Sequence, residues 1–185
     1  MVGLGNPGRD YADTRHNAGF WFVDAVARKY GGSFKAEKKF HGELARTRID
    51  GNEVWLLKPD TFMNLSGQAV LALMQFYKIA LASVLVVHDE LDLPVGVARL
   101  KQGGGHGGHN GLRDITNRCG GNGFQRLRLG IGHPGDKSRV TNHVLTRVSS
   151  EDQQAIEHAM ADAMDVLPLV IDGEFPKAMN KLHSD

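Results

Sequence analysis

The chain of 185 residues has a single cysteine, Cys119, and therefore no internal disulfide. Such cysteine usage is typical of a reducing compartment, so we expect the protein in the cytoplasm. No apolar run approaches the ~20 residues that a membrane-spanning helix needs, and no signal-peptide pattern opens the chain, so we expect no membrane partner. With 41% hydrophobic and 23% charged residues, the composition is that of a globular protein with a sizeable core.

The chain also lacks the motifs of several enzyme classes. It has no G-x-S-x-G nucleophile elbow, no C-x-x-C pair and no H-E-x-x-H zinc motif. No serine has a nucleophile motif, and Cys119 lies beside Gly120-Gly121 in a predicted loop, which favours water as the attacking group in any hydrolysis. His88, Asp89 and Asp92, or His106 and His109, could supply metal ligands, but their spacing matches no metal motif, and we expect no metal.

A glycine pattern at residues 3–8 matches the dinucleotide motif G-x-G-x-x-G. In that motif a helix begins within the glycines, so that its N-terminus meets the pyrophosphate. Here Pro7 is followed by a polar run, and helical periodicity begins only near Asn17. We therefore expect no nucleotide cofactor.

Acidic residues are scarce in the middle of the chain. Residues 96–147 contain nine Lys or Arg against two Asp, a net charge of +7, whereas residues 148–185 carry −6 and the whole chain +1. A basic region of this kind predicts an anionic partner such as phosphate or nucleic acid. The alternative is that the acidic C-terminal segment packs beside it and cancels its charge.

Hydrophobic periodicity predicts a chain of interleaved helices and strands. The predicted helices are residues 17–30, 67–78, a long one opening at 149–153 that Pro168 kinks or breaks, and 176–182. The predicted strands are 1–4, 44–49, 53–58, 84–87, 97–101 and 124–131, with a hairpin turn at Asp50-Gly51-Asn52. We expect a single α/β domain over residues 1–185, built as three layers with a mixed twisted sheet flanked by helices.

Residues 103–111 read GGGHGGHNG, with six glycines, two histidines and one asparagine. Glycine loses much backbone entropy on ordering and buries no side chain, so we expect no packed helix or strand here. The composition favours backbone brought close to a ligand. A flexible linker is the alternative, although linkers favour Ser rather than His and Asn.

Polar residues with catalytic potential lie at strand ends and in loops. His16 precedes the first helix, and Asp89 follows the apolar strand 84–87. Because ligands bind at the carboxyl ends of strands in open α/β sheets, we expect Asn6, Asn64 and Asn110 to converge there with them. An Asp that orients a His makes it a general base, and amides can stabilise an oxyanion. Taken singly, each residue also fits a surface or capping role.

Arg99 and Lys101 alternate along a predicted strand, so their side chains point to one face. If Arg128 joins them from the strand 124–131, the three form a phosphate clamp. A solvated strand face is the alternative.

Together these segments resemble the bacterial-type peptidyl-tRNA hydrolase family along the whole chain. The resemblance is carried, in order, by residues 2–8, Tyr11 with 14–19, 58–59 with 61–67, 88–94, 103–111 and 126–136. Two departures stand out. Family members carry a few more residues before the first strand, which we expect to be shortened here, and Val95 stands where a second proline is common.

The resemblance implies a monomer without cofactor that hydrolyses the ester between the peptide and the 3′-terminal ribose of tRNA. It implies that His16 is the general base and Asp89 its partner, and that Asn64 and Asn110 hold the scissile end of the peptide. It further places in the cleft Asn6, Tyr11, Met63 and His109.

The basic trio also has a role in the family. By resemblance, Arg99, Lys101 and Arg128 grip the 5′-phosphate of tRNA beside its acceptor end, and the glycine-rich segment and the residues after it form part of a mobile gate. Two other functions remain open at this point. Plant-type splicing factors related to the family bind group II introns, so a non-enzymatic RNA-binding protein is one, and a metal-dependent hydrolase sensitive to chelators is the other.

Overall fold

The computed structural model describes residues 1–184, which form one sheet of seven strands and six α-helices. The strands are β1 (Val2–Gly3), β2 (Lys35–Glu37), β3 (Gly42–Ile49), β4 (Asn52–Pro59), β5 (Leu85–Glu90), β6 (Ala98–Gln102) and β7 (Gln125–Gly130). The helices are α1 (Ala18–Tyr30), α2 (Gly67–Tyr77), α3 (Asn110–Arg118), α4 (Val140–Val144), α5 (Ser150–Ile171) and α6 (Phe175–His183). Within residues 1–184, no helix is long and apolar enough to cross a membrane.

The sheet has the strand order β2-β3-β4-β1-β5-β7-β6 and is mixed. Its centre, β4-β1-β5-β7, is parallel, whereas the pairs β2-β3, β3-β4 and β6-β7 are antiparallel. The central strand β5 begins with the buried apolar run Leu85–Val87, as expected of a strand that is covered on both faces.

Helices cover both faces of the sheet. On one face, α1, α5 and α6 pack their apolar residues, such as Phe22 and Ile156, against Leu127 of β7. On the other face, α2 and α3 form a second core around Val86 and Ile115. The predicted three-layer α/β architecture with a mixed sheet is therefore confirmed.

The hairpin of β3 and β4 turns at Asp50 and Gly51, where the predicted turn lies. Both residues have positive φ, 51° and 78°, as a two-residue turn between twisted antiparallel strands requires. Ile49 pairs with Asn52, so β4 begins one residue earlier than predicted. The turn sequence thus sets the register of this edge of the sheet.

Three short elements, β2, α3 and α4, were not predicted. Because α3 begins at Asn110, the expectation of irregular backbone is wrong for Asn110 and Gly111, while residues 103–109 are irregular. The helix buries only two apolar side chains, Leu112 and Ile115, so its periodicity is weak in the sequence. Its N-terminus is instead capped by the His109 side chain, which accepts hydrogen bonds from the backbone.

Two further boundaries differ from the predicted ones. The long helix α5 runs through Pro168 and ends three residues later at Ile171, so the proline does not break the helix. Strand β5 extends to Glu90, which places His88 and Asp89 inside the strand rather than after it. The parallel partner β7 runs alongside and extends the ladder, with Asp89 opposite Leu129.

Candidate active site

A cleft of about 730 Å³ opens at the carboxyl ends of β1, β4 and β5. The connection after β1, through α1, lies on one face of the sheet, and the connection after β4, through α2, lies on the other. Such a divergence opens a crevice at the strand ends. All eight residues predicted for the cleft line it, namely Asn6, Tyr11, His16, Met63, Asn64, Asp89, His109 and Asn110.

Asp89 is buried at the floor of the cleft and is shared by two histidines. Its Oδ2 lies 2.8 Å from Nδ1 of His16, and its Oδ1 lies 2.8 Å from Nε2 of His109. The two imidazole rings are 5.0 Å apart between centroids. The sequence predicts the His16–Asp89 pair, whereas the second histidine on the same carboxylate was not predicted.

These contacts determine which nitrogen of each imidazole carries the proton. A carboxylate only accepts hydrogen bonds, so His16 donates from Nδ1 and His109 donates from Nε2. Among residues 1–184, Nε2 of His16 has no hydrogen-bond partner, so its lone pair is available in the cleft. Nδ1 of His109 accepts from the backbone of Gly111 and Leu112 at 3.1 and 3.3 Å, which holds His109 in one neutral tautomer.

The shared carboxylate also changes the protonation of the pair. Burial by itself lowers the pKa of His16, but the charge of Asp89 and its hydrogen bond outweigh burial and raise the pKa above the usual 6.5. Burial opposes ionisation of Asp89, yet His16 and His109 together hold the pKa of that carboxyl far below its usual value. Asp89 is therefore ionised at neutral pH, and its negative charge favours the protonated form of His16.

Close packing of α1 on the sheet brings His16 to Asp89. Gly19, in the first turn of α1, is fully covered by strand backbone, and a Cβ there would lie 2.5 Å from the nitrogen of Leu4. Only glycine allows this approach, which sets the turn that carries His16 directly over the end of β5. The motif of residues 14–19 thus combines a cleft histidine with the glycine that positions it.

Asn6 is fixed by a residue that was not predicted, Asn17. The Asn17 side chain accepts from the backbone nitrogen of Asn6 at 2.8 Å and donates to its backbone oxygen at 2.9 Å. Oδ1 of Asn6 accepts from the nitrogen of Met63 at 2.7 Å. Because the amide oxygen is used in this way, the NH2 group of Asn6 is left to donate into the cleft.

The other two asparagines are less constrained. Asn64 and Asn110 are exposed in the cleft wall, and the only hydrogen bond of either side chain within residues 1–184 joins Oδ1 of Asn110 to Arg113 at 3.4 Å. At the mouth, Tyr11 meets the exposed ring of Phe62 edge to face, with centroids 6.2 Å apart. Phe62 was not predicted, although its place inside the predicted segment 61–67 was a usable signal.

His88 is a further cleft residue that was not predicted. It is buried, donates from Nδ1 to the backbone oxygen of Asp89 at 2.8 Å and packs edge to face on His109. Burial, followed by the proximity of His109, lowers the pKa of His88 to about 3. The imidazole is therefore neutral at physiological pH and supports His109 rather than exchanging protons.

The wall opposite the asparagines comes from the chain after β7. It includes α4, whose Val140, Val144 and the following Leu145 give the cleft an apolar side next to Leu91. The gate that the family resemblance implies is a different segment, the glycine-rich residues 103–111 and the residues after them, and its mobility stays a prediction.

The basic trio lies outside the cleft, on the neighbouring strands. Arg99 and Arg128 are directly opposed across the β6-β7 ladder, and Lys101 is two residues along β6 on the same face. Arg128 has a long contact of 3.8 Å with Glu90 of the cleft wall. The predicted three cations therefore share one face of the sheet, beside the strand end that carries Asp89.

Comparison with known proteins shows the family of the chain. The family model described as peptidyl-tRNA hydrolase matches residues 1–185. The chain belongs to the peptidyl-tRNA hydrolase family. The peptidyl-tRNA hydrolase of Neisseria gonorrhoeae is 55% identical over 184 residues, which cover 100% of this chain and 96% of that protein. The one from Hahella chejuensis is 57% identical over 185 residues, which cover 100% and 95%.

Solved structures of peptidyl-tRNA hydrolases have the same fold. The crystal structure of peptidyl-tRNA hydrolase from Acinetobacter baumannii matches with a TM-score of 0.96 at 53% identity, over 99% of this chain and 93% of that chain. A complex of a peptidyl-tRNA hydrolase with N-propanol matches equally well. The resemblance stated from the sequence motifs is thereby confirmed.

Three residues of this peptidyl-tRNA hydrolase cleft could also hold a metal ion: His16, Asp89 and His109 offer ligand atoms within 4.8 Å of one another. Their hydrogen bonds already use both oxygens of Asp89 and both nitrogens of His109. A metal would have to break these contacts, which leaves Nε2 of His16 as the one uncommitted donor atom. The donor set therefore fits a proton-transfer site better than a metal site.

The remaining alternatives are also weakened by the geometry. The chain after Gly8 forms a 3-10 turn at Arg9–Tyr11, and the first α-helix begins only at Ala18, so no α-helix begins within the glycine pattern of residues 3–8 as the dinucleotide motif requires. Burial raises the pKa of Cys119 to about 11, so its thiol is protonated at neutral pH and unsuited to nucleophilic attack.

Proposed function

We propose that the chain hydrolyses peptidyl-tRNA at the ester between peptide and 3′-terminal ribose, with His16 as the general base that activates water. The observation that carries the proposal is the buried Asp89 carboxylate 2.8 Å from Nδ1 of His16, which leaves Nε2 facing the cleft. The activity is that of the family, and we further propose a monomer that acts as one domain in the cytoplasm.

In the first step, Nε2 of His16 takes a proton from water as the water oxygen attacks the ester carbonyl. The imidazolium that forms is stabilised by the negative charge of Asp89, which stays ionised throughout the step. The proton then passes to the ribose oxygen as the carbon–oxygen bond breaks. The reaction consumes one water molecule for each ester cleaved and produces the free carboxylic acid of the peptide and the ribose hydroxyl of tRNA.

The carbonyl oxygen gains negative charge in this step and needs hydrogen-bond donors. The NH2 group of Asn6, together with the exposed amides of Asn64 and Asn110, can supply them from two walls of the cleft. Amides bind peptide backbone without regard to side chains, which suits a substrate of variable sequence. An ester is also easier to cleave than an amide, so one base with amide donors suffices.

The basic trio gives the site its preference for tRNA. Arg99, Lys101 and Arg128 form a cationic face next to the cleft, where the 5′-phosphate at the acceptor end can be held while the 3′ end enters. Phosphate contacts of this kind supply affinity and position without reading sequence.

The test is the pH dependence of kcat/KM for N-acetyl-aminoacyl-tRNA, measured with EDTA present. Because the base is the neutral imidazole and Asp89 raises the pKa of His16, the rate should rise with pH and level off above an inflection higher than 6.5. A flat profile argues against a histidine base. Loss of activity in EDTA supports a metal-dependent hydrolase, and absence of hydrolysis supports a protein that only binds RNA.

A further inference from the structure

Arg126, the second residue of β7, is a charged residue to which neither the family resemblance nor the proposed mechanism assigns a role. It is 2% exposed, and no carboxylate of residues 1–184 lies within salt-bridge distance of it. Burial lowers the pKa of Arg126, and Glu90, whose carboxylate contacts Arg128 instead, opposes this only through space. An apolar residue of similar size is often at least as stabilising as a buried charge. A role other than stability is therefore needed to explain an arginine at this buried position.

The guanidinium of Arg126 binds the glycine-rich segment that lies above it. Nη1 donates to the backbone oxygen of Gly105 and Nη2 to that of Gly104, both at 2.5 Å. One face of the guanidinium plane lies on the ring of Phe124, with Cζ of Arg126 4.5 Å from the ring centroid. A planar fork that holds two consecutive carbonyls is a geometry that arginine provides and lysine does not.

The residues of this segment, 103–109, need such fixing. Gly103, Gly104, Gly107 and Gly108 all have positive φ, which glycine adopts about as readily as negative φ, so the glycines by themselves do not hold the segment in one conformation. Below Gly104 the stem of Lys101 fills the space, since a Cβ on Gly104 would lie 2.7 Å from its Cε. Lys101 and Arg126 are paired across the β6-β7 ladder, so the segment packs on two neighbouring basic side chains.

The far end of the segment is His109, whose Nε2 donates to Asp89. Only three residues separate Gly105 from His109, and the hydrogen bond from the nitrogen of His109 to the oxygen of His106, at 2.9 Å, makes this stretch one turn. A shift of the carbonyls that Arg126 holds therefore moves His109, and with it Asn110 at the start of α3.

We propose that Arg126 is a positioning residue for hydrolysis, which fastens the glycine-rich segment to the sheet and so holds His109 on Asp89. The inference rests on the proposed function of the cleft. It assigns to Arg126 no contact with substrate, in contrast to Arg128 two residues along the same strand. It also gives a reason for the presence of an arginine without a salt-bridge partner at a buried position.

The test compares Arg126→Met and Arg126→Lys with the wild type, and Arg118→Met serves as the matched control. Arg118 is an arginine of α3 that pairs with Asp114 at the opposite end of the helix from His109. Thermal unfolding, kcat for N-acetyl-aminoacyl-tRNA and for N-acetyl-aminoacyl-adenosine, and amide hydrogen exchange of residues 105–109 are measured for each.

We expect Arg126→Met to unfold at the same temperature or higher, while kcat falls about 10- to 100-fold on both substrates, as a misplacement of about 1 Å produces. Amides of residues 105–109 should exchange faster, with those of β5 unchanged. Arg126→Lys, which reaches one carbonyl at a time, should recover part of the rate, and Arg118→Met should match the wild type.

Several results overturn the proposal. An unchanged kcat in Arg126→Met overturns it, whatever the amide exchange rates are. A loss of kcat confined to the tRNA substrate also overturns it and shows that Arg126 is a phosphate contact. Failure of both variants to fold, or a fall in activity that equals the fall in folded protein, makes it a structural residue. If the wild type hydrolyses neither substrate, the proposed function fails, whereas the exchange rates still decide whether Arg126 holds the segment.

Discussion

Asp89→Asn changes one atom of the central carboxylate and tests the assignment of protons in the cleft. The asparagine keeps one accepting oxygen and replaces the other with an NH2 group, so one of the two histidines must accept rather than donate. His109 cannot, because the backbone N–H groups of Gly111 and Leu112 hold its Nδ1 as an acceptor and its Nε2 as a donor. The NH2 group therefore faces His16.

His16 then accepts at Nδ1 and carries its proton on Nε2, the atom that has to take a proton from water. To restore the active tautomer, one hydrogen bond to the buried residue must be lost. The variant also lacks the negative charge that stabilises the imidazolium, and a hydrogen bond to a charged group contributes about 1.5–3 kcal/mol. At 1.36 kcal/mol for each factor of ten, kcat/KM should fall by roughly 10- to 160-fold.

The assay is hydrolysis of N-acetyl-aminoacyl-tRNA between pH 5 and 9, with Asp162→Asn on the exposed side of α5 as the control for loss of charge. Because the charge of Asp89 raises the pKa of His16, the residual rate of the variant should also level off at a lower pH. The nitrogen chemical shifts of His16 should report the change of tautomer. A variant that keeps more than a tenth of the wild-type rate, with an unchanged inflection, refutes the reasoning.

Three further predictions follow from other contacts. Replacing Arg99 and Lys101 with Glu should raise KM for peptidyl-tRNA more than for N-acetyl-aminoacyl-adenosine, and equal effects would show that this face does not bind tRNA. Asn17→Ala removes two buried hydrogen bonds to the Asn6 backbone and should lower the free energy of unfolding by about 2 kcal/mol or more in urea titrations; an unchanged midpoint contradicts this. The pKa of His88 is about 3 in the folded protein and about 6.5 in the unfolded chain, so the unfolded chain binds one more proton between these values. The free energy of unfolding should therefore fall by about 1.4 kcal/mol for each unit that the pH is lowered from 6.5 towards 3. His88→Asn should flatten this dependence in unfolding titrations measured from pH 6.5 to 4.

The parts of the fold that the sequence predicts are those with a strong local signal. The apolar run Leu85–Val87, the Asp50-Gly51 turn and the long amphipathic helix α5 each follow from periodicity or turn chemistry within a few residues. Helix α3 has two buried apolar side chains and β2 (Lys35–Glu37) has none, so hydrophobic periodicity does not distinguish either element from a loop. Their existence depends on neighbours that the fold supplies.

The candidate site divides in the same way. His16, Asp89 and the asparagines stand out because polar residues follow apolar strands or precede a helix, and the fold then brings them to one cleft. The second histidine on Asp89, the Asn17–Asn6 pair and the Arg126 fork join residues that are distant in sequence. No spacing rule predicts such pairs, since each depends on the register of strands and the packing of glycines such as Gly19.

The proposed mechanism requires Nε2 of His16 to remove a proton from water. Its most direct test is hydrolysis of N-acetyl-aminoacyl-tRNA by the wild type and His16→Ala, in EDTA, with tRNA affinity measured in parallel and His158→Ala on α5 as the control. We predict turnover by the wild type and the control, none above background by His16→Ala, and nearly equal tRNA binding by all three. Substantial turnover by a folded His16→Ala variant would contradict the account.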